Sequence, residues 1–163
     1  MTAGQKIVRD IAELDVPDFL KSAVSYRIRL LQIASYKAFE QKVTGFESAP
    51  RYFGMLKLIE ENPGVPQTRL AEAIFLDRSS LVPILEALTR EGWVERKPAS
   101  QDKRVRRVFL TEEGKARLAE LEKQVAAHER GVTAGLSASE RTQLLNLLER
   151  VGANLRQMHE AGD

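Results

Sequence analysis

The sequence predicts a mostly α-helical fold that carries one small β-hairpin. Apolar residues recur at spacings of three and four over most of the 163 residues, as they do in helices with a buried face. Runs at residues 93–96 and 106–110 are typical of short strands, and a polar turn that contains proline joins them. Near the C-terminus, apolar residues repeat at alternating spacings of four and three.

Composition excludes several classes of protein. The chain has no cysteine, so it has no disulfide framework, no thiolate metal site and no thiol-based redox sensor. Charged residues run through the first fifteen positions, where a signal peptide would have an apolar core. No apolar run approaches the ~20 residues of a membrane helix. We therefore expect a cytoplasmic protein.

The first long helix is expected to begin at Pro17 or Asp18 and to end near Thr44, before Gly45. Its apolar residues form two stripes, so its apolar surface is wide and needs cover on more than one side. Contact with the chain's own core would cover this surface. A second subunit or a ligand cavity on one side would cover it as well.

Two shorter helices are predicted next. The second helix covers residues 48–61, and the run Asn62-Pro63-Gly64 ends it. Pro66 suits the first position of a third helix. That helix would pack three residues inward: Leu70, Ala73 and Ile74. The polar residues of its first turn are candidates for contact with phosphate groups: Gln67, Thr68 and Arg69.

The fourth helix has the clearest local signals. Asp77 can cap its exposed N–H groups, and Gly92 ends it. Its buried face would consist of Leu81, Ile84, Leu85 and Leu88. Its first turn presents side chains that can bond to base edges or phosphates: Arg78, Ser79 and Ser80. A helix-turn-helix unit presents its second helix to the major groove in this way. The alternative is that both serines are ordinary first-turn residues and that Arg78 pairs with Glu86.

The hairpin that follows is strongly basic. Residues 96–107 hold six basic residues and one acidic residue, a net charge of +5, whereas the whole chain carries +2. A concentrated basic loop neutralises phosphates and releases counterions. Strand alternation would place Arg104 and Arg106 on one face and Arg107 on the other. This favours Arg106 over Arg107 as a contact residue.

Two helices complete the chain. Thr111 can cap the first of them, which would run to about Gly131. Ser137 and Glu140 match a capping box for the last helix, which would end near Glu160. The last helix carries a heptad-like apolar seam: Leu144, Leu148, Val151, Leu155 and Met158. The seam can pack on the chain's own first helix, on another subunit, or on both, and we favour dimerisation.

Together these residues resemble the MarR family of bacterial transcription regulators. The resemblance is clear over residues 53–118. Its most specific part is a D-x-R motif, Asp102-Lys103-Arg104, followed by L-T-x-x-G at residues 110–114. The other matching residues are Asp77-Arg78-Ser79-Ser80, Leu85, Leu88 and Glu91-Gly92-Trp93-Val94. The chain departs from a common family pattern at Pro83, where many members have arginine or another polar residue. Proline cannot donate to the carbonyl of Ser79, which can bend the helix.

The resemblance implies a fold and a set of roles. It implies a winged helix-turn-helix DNA-binding lobe at residues 45–111, with helical dimerisation segments at residues 1–44 and 112–163. It also implies that Arg104 enters the minor groove from the wing tip and that Asp102 orients the wing. Two further wing residues are candidates for DNA contact: Lys103 and Arg106.

The resemblance also implies a small-molecule effector, because family members often bind aromatic acids, phenols and related metabolites beside the dimer helices. An anionic aromatic ligand needs a cationic or hydroxyl anchor in an apolar wall. The nearest set of such residues is Tyr26, Arg29, Arg51, Tyr52 and Phe53. The alternative is that these are ordinary surface charges and core aromatics. A CoA thioester also fits, since basic residues at the pocket mouth could hold its phosphates.

No set of residues suggests catalysis, and we expect neither an enzyme nor a metal or cofactor. His128 and His159 lie in polar helical sequence, where we expect them to be solvent-exposed, and they form no H-x-x-x-H pair. The alternative for His128 is a place at the edge of a cavity. We predict a sequence-specific regulator that binds double-stranded DNA as a homodimer, at a roughly palindromic operator. We expect it to act as a repressor that an effector releases. Two alternatives are a nonspecific architectural DNA binder and a helical protein-interaction module.

Overall fold

The computed structural model describes residues 15–102 and 104–161, of which residues 159 and 160 are described by their backbone alone. The chain divides into two compact units between Ala126 and Ala127. The first unit contains, in order, α1 (Asp18–Ser22), α2 (Val24–Lys42), a 3-10 turn (Ala49–Tyr52), α3 (Phe53–Glu61), β1 (Val65–Pro66), α4 (Gln67–Ala73), α5 (Arg78–Arg90), β2 (Val94–Pro98) and β3 (Arg106–Leu110). Helix α6 (Glu112–Val132) begins in this unit and ends in the second, which also contains α7 (Ala138–Glu160). The predicted mostly helical fold with one hairpin is confirmed.

The first predicted helix is interrupted. Ala23 adopts an extended conformation, with φ −76° and ψ 109°, so α1 ends before it and α2 begins after it. Neither proline nor glycine marks this position, and periodicity alone therefore predicted one continuous helix. Helix α2 ends at Lys42, before the expected Thr44, and Val43 is buried.

The second and third predicted helices also differ in detail. Residues 49–52 form the tighter 3-10 turn, so the α-helix starts only at Phe53. Pro66 belongs to β1 and precedes α4 with an extended ψ of 140°. Ala73 is exposed, and Ala71 is the buried alanine of α4.

The sheet is antiparallel, and β3 is its central strand, with β1 on one side and β2 on the other. Val94 pairs with Leu110 at the base of the hairpin. Val65 of β1 pairs with Val108 on the other edge of β3. The hairpin was predicted, whereas β1 was not, because two residues are too few for alternation to be visible.

Helix α5 is the predicted fourth helix. At its C-terminal end, the N–H of Trp93 donates to the carbonyl of Leu88 at 2.9 Å, and the N–H of Gly92 donates to that of Thr89 at 3.1 Å. Gly92 has a φ of +79°, which glycine adopts without strain. These features form a Schellman closure. Pro83 lies inside α5 without ending it.

The core of the first unit is built mainly from α3, α4, α5, the strands and the start of α6. Its largest fully buried side chains are Trp93, Leu56, Ile59, Leu70, Leu81, Leu85, Leu88, Leu118 and Leu121. Burying each aliphatic side chain stabilises the fold by about 1.5–3 kcal/mol. Within α2, only Phe39 is buried, so most of that helix lies outside this core.

In the second unit, α7 begins with the predicted capping box. The Ser137 hydroxyl accepts from the Glu140 N–H at 3.3 Å, and the Glu140 carboxylate accepts from the Ser137 N–H at 2.8 Å. The side-chain and backbone hydrogen bonds from Ser137 lower the pKa of Glu140. The predicted seam is open to solvent in the single chain, with Leu144 exposed at 44% and Met158 at 70%.

Candidate DNA interface

The N-terminal end of α5 presents polar side chains around its cap. The Asp77 carboxylate accepts from the N–H of Ser80 at 2.8 Å. The hydroxyls of Ser79 and Ser80 donate to the same carboxylate at 2.5 and 3.0 Å. These bonds, led by the one from the Ser79 hydroxyl, lower the pKa of Asp77 to about 2. Asp77 is therefore an anion that holds both serines, and Arg78 beside them is exposed.

The wing tip is a closed turn. The Asp102 carboxylate accepts from the N–H of Arg104 at 2.9 Å, and the backbone carbonyl of Asp102 accepts from the N–H of Val105 at 3.0 Å. The N–H of Ala99 donates to the Val105 carbonyl at 2.9 Å. An aspartate that accepts from the N–H two residues later stabilises a turn of this kind. Arg104 is exposed at the tip, and Lys103 lies outside the described residues.

A cleft of about 140 Å³ brings α4, α5 and the wing together. Its lining residues are Pro66, Gln67, Thr68, Arg78, Arg104, Val105 and Arg106. The lining thus contains three arginines and no acidic residue. None of these arginines forms a salt bridge with another described residue. Residues predicted separately along the sequence therefore surround one electropositive cleft.

Two other basic residues lie outside this cleft. The guanidinium group of Arg107 donates to the Gly64 carbonyl at 2.9 Å, and Arg69 forms a salt bridge with Glu72 at 3.1 Å. Both arginines line a neighbouring cleft of about 460 Å³. Arg106 lines the first cleft instead, so the structure shows the side-chain alternation that the strand pattern predicted.

A second candidate site is a cleft of about 490 Å³ lined by residues of α2, the loop after it and the 3-10 turn. Of the five predicted ligand residues, Arg51 and Tyr52 line it, whereas Tyr26, Arg29 and Phe53 do not. Tyr26 and Arg29 lie in the N-terminal half of α2. Phe53 packs against the core. A single chain therefore does not gather all five residues around one cleft.

Two α2 residues that the sequence analysis missed, Tyr36 and Glu40, also line this second cleft. The Arg51 Nε donates to the Tyr36 hydroxyl at 2.7 Å, and an Arg51 nitrogen lies 3.8 Å from the Glu40 carboxylate. The guanidinium carbon lies 5.4 Å from the centre of the Tyr36 ring. Burial, with a hydrogen bond to Glu40, raises the pKa of Tyr36. The one local signal was that Tyr36 and Glu40 are four apart, on one helical face.

The C-terminal end of α5 is tied to the loop after α2. The Glu91 carboxylate accepts from the N–H of Ser48 at 3.3 Å and from its hydroxyl at 2.8 Å. Arg117 donates to the Glu91 carbonyl at 3.0 Å and forms an ion pair with Glu47. The guanidinium carbon of Arg117 lies 4.2 Å from the centre of the buried Trp93 ring. Glu47 and Ser48 also line the second cleft, which therefore shares residues with the anchorage of α5.

Other kinds of site have little support in the described parts of the chain. No group of three or more His, Asp or Glu residues there is placed to hold a metal ion. His128 is half-buried, which corrects the expectation that it is solvent-exposed. The side chain of His159 lies outside the part of the chain that the structure describes. Among the described helices, none combines the length and the apolar character that a membrane span requires.

Comparisons with known proteins agree with this geometry. The MarR family model matches residues 50–105, which contain α3, α4, α5 and β2 and end at the residue before β3. The regulatory protein assigned to the hcr operon of Thauera aromatica is 34% identical over 149 residues, which cover 91% of this chain and 89% of that protein.

Two solved structures extend the comparison. The transcriptional repressor CouR, bound to a 23-mer DNA duplex, matches with a TM-score of 0.78 at 29% identity, over 85% of this chain and 99% of CouR. PcaV of Streptomyces coelicolor, in complex with its natural ligand, matches with a TM-score of 0.76 at 27% identity, over 86% of this chain and 98% of PcaV. The chain therefore belongs to the MarR family of winged helix-turn-helix transcription regulators.

Proposed function

We propose that this chain is a sequence-specific repressor that binds its operator as a homodimer and is released by a small anionic effector. The observation that carries the proposal is the cleft where α5 and the wing direct Arg78, Arg104 and Arg106 toward one volume. The DNA duplex bound to the repressor CouR supports it. The proposal assigns DNA binding to residues 45–111 and dimerisation to residues 1–44 and 112–163.

In the proposed complex, α5 is the recognition helix, and its N-terminal end enters the major groove. Arg78 can fork onto guanine or pair with a phosphate. Ser79 and Ser80 donate their hydroxyl protons to Asp77, so their oxygens meet DNA as acceptors. Suitable donors are the amino groups of adenine and cytosine.

The wing and α4 complete the proposed contacts. Arg104 enters the minor groove from a tip that Asp102 holds closed. The remaining contacts are to the phosphate backbone, which fixes the register of the protein on the duplex. We assign them to Gln67, Thr68, Arg69, Lys103 and Arg106.

A homodimer would cover apolar surface that the single chain leaves exposed. In addition to the seam of α7, the first two helices expose Phe19 at 80%, Val24 at 61% and Leu31 at 62%. Apolar side chains exposed to this extent would mark an interaction site where they form one continuous surface. A two-fold dimer places two recognition helices about one DNA turn apart, which matches a roughly palindromic operator.

The proposed effector is an aromatic or phenolic acid, or a related CoA thioester, bound at the second cleft. Arg51 supplies a cation there, and Tyr36 and Tyr52 supply aromatic surface. Glu40 and Glu47 also line this cleft, so the acid group of the ligand would take the place of the Glu40 carboxylate beside Arg51. Three further residues remain candidates for a site that a second subunit completes: Tyr26, Arg29 and Phe53. The structure of PcaV with its natural ligand supports ligand response.

Release would follow from a shift in population. Because Glu47 and Ser48 line the second cleft and also anchor α5, a ligand there can favour one position of α5 over another. A tenfold loss of operator affinity needs only ~1.4 kcal/mol of coupling. If candidate acids bind and operator affinity stays constant, this mechanism fails.

The decisive experiment titrates the protein against DNA from its own promoter region, with scrambled competitor, at two salt concentrations and beside Arg104→Ala. We expect selective binding that Arg104→Ala weakens by at least tenfold. Equal affinity for scrambled DNA would support an architectural role instead. Binding to neither duplex would support the protein-interaction alternative.

The homodimer has its own test. Leu148→Arg places a charge in the seam of α7, where we expect sedimentation to show dissociation and operator affinity to fall. Asn146→Arg is the matched control, because it adds the same charge to α7 two residues away and off the seam. Unchanged sedimentation of Leu148→Arg would exclude the seam from the interface.

A further inference from the structure

Gln67 is a buried polar side chain whose donor has no acceptor. It is 6% exposed, and its Nε2 makes no hydrogen bond within the described structure. The same side chain lines the cleft of about 140 Å³ that also contains Arg78, Arg104 and Arg106. A buried donor without an acceptor carries a free-energy cost. The side chain lines the cleft while Nε2 itself is covered, so a rotation of the amide would let it donate to an acceptor from outside the chain.

The lining of the cleft indicates what that acceptor is. Three arginines line the same cleft as Gln67, none of them in a salt bridge with a described residue, and the lining contains no carboxylate. An anion is therefore favoured over a neutral group. The volume is roughly that of four to five water molecules. This space suits the five heavy atoms of one phosphate group and is too small for a nucleoside.

We propose that this cleft is a receptor for a single phosphate group. The Nε2 of Gln67 donates one hydrogen bond to it, and Arg78 and Arg106 donate charge-assisted bonds. The bound phosphate would bridge the first turn of α5 and the wing. The group comes either from the backbone of bound DNA or from a free phosphate monoester. The inference rests on the proposed DNA-binding function only in the first case.

Arg104 gives the two sources opposite consequences. It lines the cleft in the free chain, although its proposed place on DNA is the minor groove. A backbone phosphate held by Gln67, Arg78 and Arg106 leaves Arg104 available for that groove. A free phosphate with no DNA present recruits Arg104 as well, and it then competes with operator binding.

A methionine substitution separates this role from a structural one. Gln67→Met keeps the length and unbranched shape of the side chain and removes the donor. We expect an equal or higher thermal midpoint, together with phosphate binding about tenfold weaker. A purely structural role of Gln67 predicts the reverse, a lower midpoint with phosphate binding unchanged.

The first arm of the test uses inorganic phosphate. The ¹⁵N-labelled full-length protein is titrated with sodium phosphate at constant ionic strength, and the side-chain amide of Gln67 is identified by its absence in Gln67→Met. We expect a saturable shift that chloride does not produce and that Arg106→Gln abolishes. Lys123→Gln is the charge control, because Lys123 pairs with Glu120 on α6.

The second arm uses a duplex that the wild-type protein selects from a random pool, with each phosphate replaced in turn by a neutral methylphosphonate. We expect Gln67→Met to bind the unmodified duplex about tenfold more weakly than the wild-type protein does. At one position in each half-site, the methylphosphonate should remove this difference between the two proteins. A response in the phosphate arm alone assigns the receptor to a free monoester, and one in the duplex arm alone assigns it to DNA. No response in either arm overturns the receptor. If no duplex is selected, the proposed DNA-binding function fails, and the phosphate arm alone decides the receptor.

Discussion

The backbone N–H and the hydroxyl of Ser48 both donate to the Glu91 carboxylate, which ties the loop after α2 to the end of the recognition helix. We expect Glu91→Ala to lower the free energy of unfolding by about 1–3 kcal/mol, because it leaves part-buried donors unpaired. Glu91→Gln should keep most of the stability, since its amide oxygen accepts the same bonds. Urea unfolding measures both, with the exposed Glu86→Ala as control. Equal values for Glu91→Ala and Glu86→Ala would show that the tether contributes nothing.

Gly114 is required where α6 starts against the hairpin. A Cβ atom there would overlap the carbonyl oxygen of Trp93, which is backbone and cannot turn aside. We expect Gly114→Ala to destabilise the fold by about 1–3 kcal/mol. Gly54→Ala is the matched control in a helix of the same unit, with nothing within 4 Å of the new atom. It should stabilise by about 0.5–1 kcal/mol in the same thermal unfolding experiment. The expectation for Gly114 fails if both variants move in the same direction.

Asp77 makes the stability of the recognition helix depend on pH in the acidic range. Its folded pKa of about 2 lies below its ordinary 3.8, so its contribution is complete above pH 4 and is lost as pH falls through about 2. Asp77→Asn still caps the helix and does not titrate. The difference in thermal midpoint between wild type and Asp77→Asn should therefore shrink from pH 5 to pH 2. Asp18→Asn controls for net charge, and a constant difference over this range would contradict the assignment.

Arg106 and Arg107 are neighbours with different expected effects. Arg106 lines the cleft beside α5, so Arg106→Ala should weaken DNA binding and reduce the salt slope by about 1. Arg107 donates to the Gly64 carbonyl, so Arg107→Ala should leave that slope unchanged and lower the free energy of unfolding by about 0.5–1.5 kcal/mol. DNA titrations over a range of salt, together with urea unfolding, measure both. The opposite pattern would mean that the strand presents its other face to DNA.

The helix ends that were predicted correctly are those marked by a capping residue or a glycine in the sequence. Asp77 marks the start of α5 and Gly92 marks its end, because a cap and a glycine with positive φ act within one turn of the helix. Ser137 and Glu140 do the same for α7. The break at Ala23 has no such residue, and it was missed for that reason.

The sites were predicted as far as their residues have a local pattern. Arg106 was predicted from strand alternation in the basic hairpin, and Arg104 mainly from the family resemblance. The bond from Arg51 to Tyr36 and the bonds from Ser48 to Glu91 join residues 15 and 43 positions apart. Such pairs become neighbours only through tertiary packing, so the periodicity of the sequence does not predict them.

A single oxygen atom closes the base of the wing. The Thr111 hydroxyl donates to the Gly92 carbonyl at 2.6 Å and accepts from the Gly114 N–H at 2.8 Å, so it joins the end of α5 to the start of α6. The paired strands fix the hairpin from this base to the pair formed by Pro98 and Arg106. Loss of the Thr111 hydroxyl would therefore open two joints at once, one at the end of α5 and one at the start of α6. The hairpin would keep its strand pairing and lose its fixed direction relative to the recognition helix.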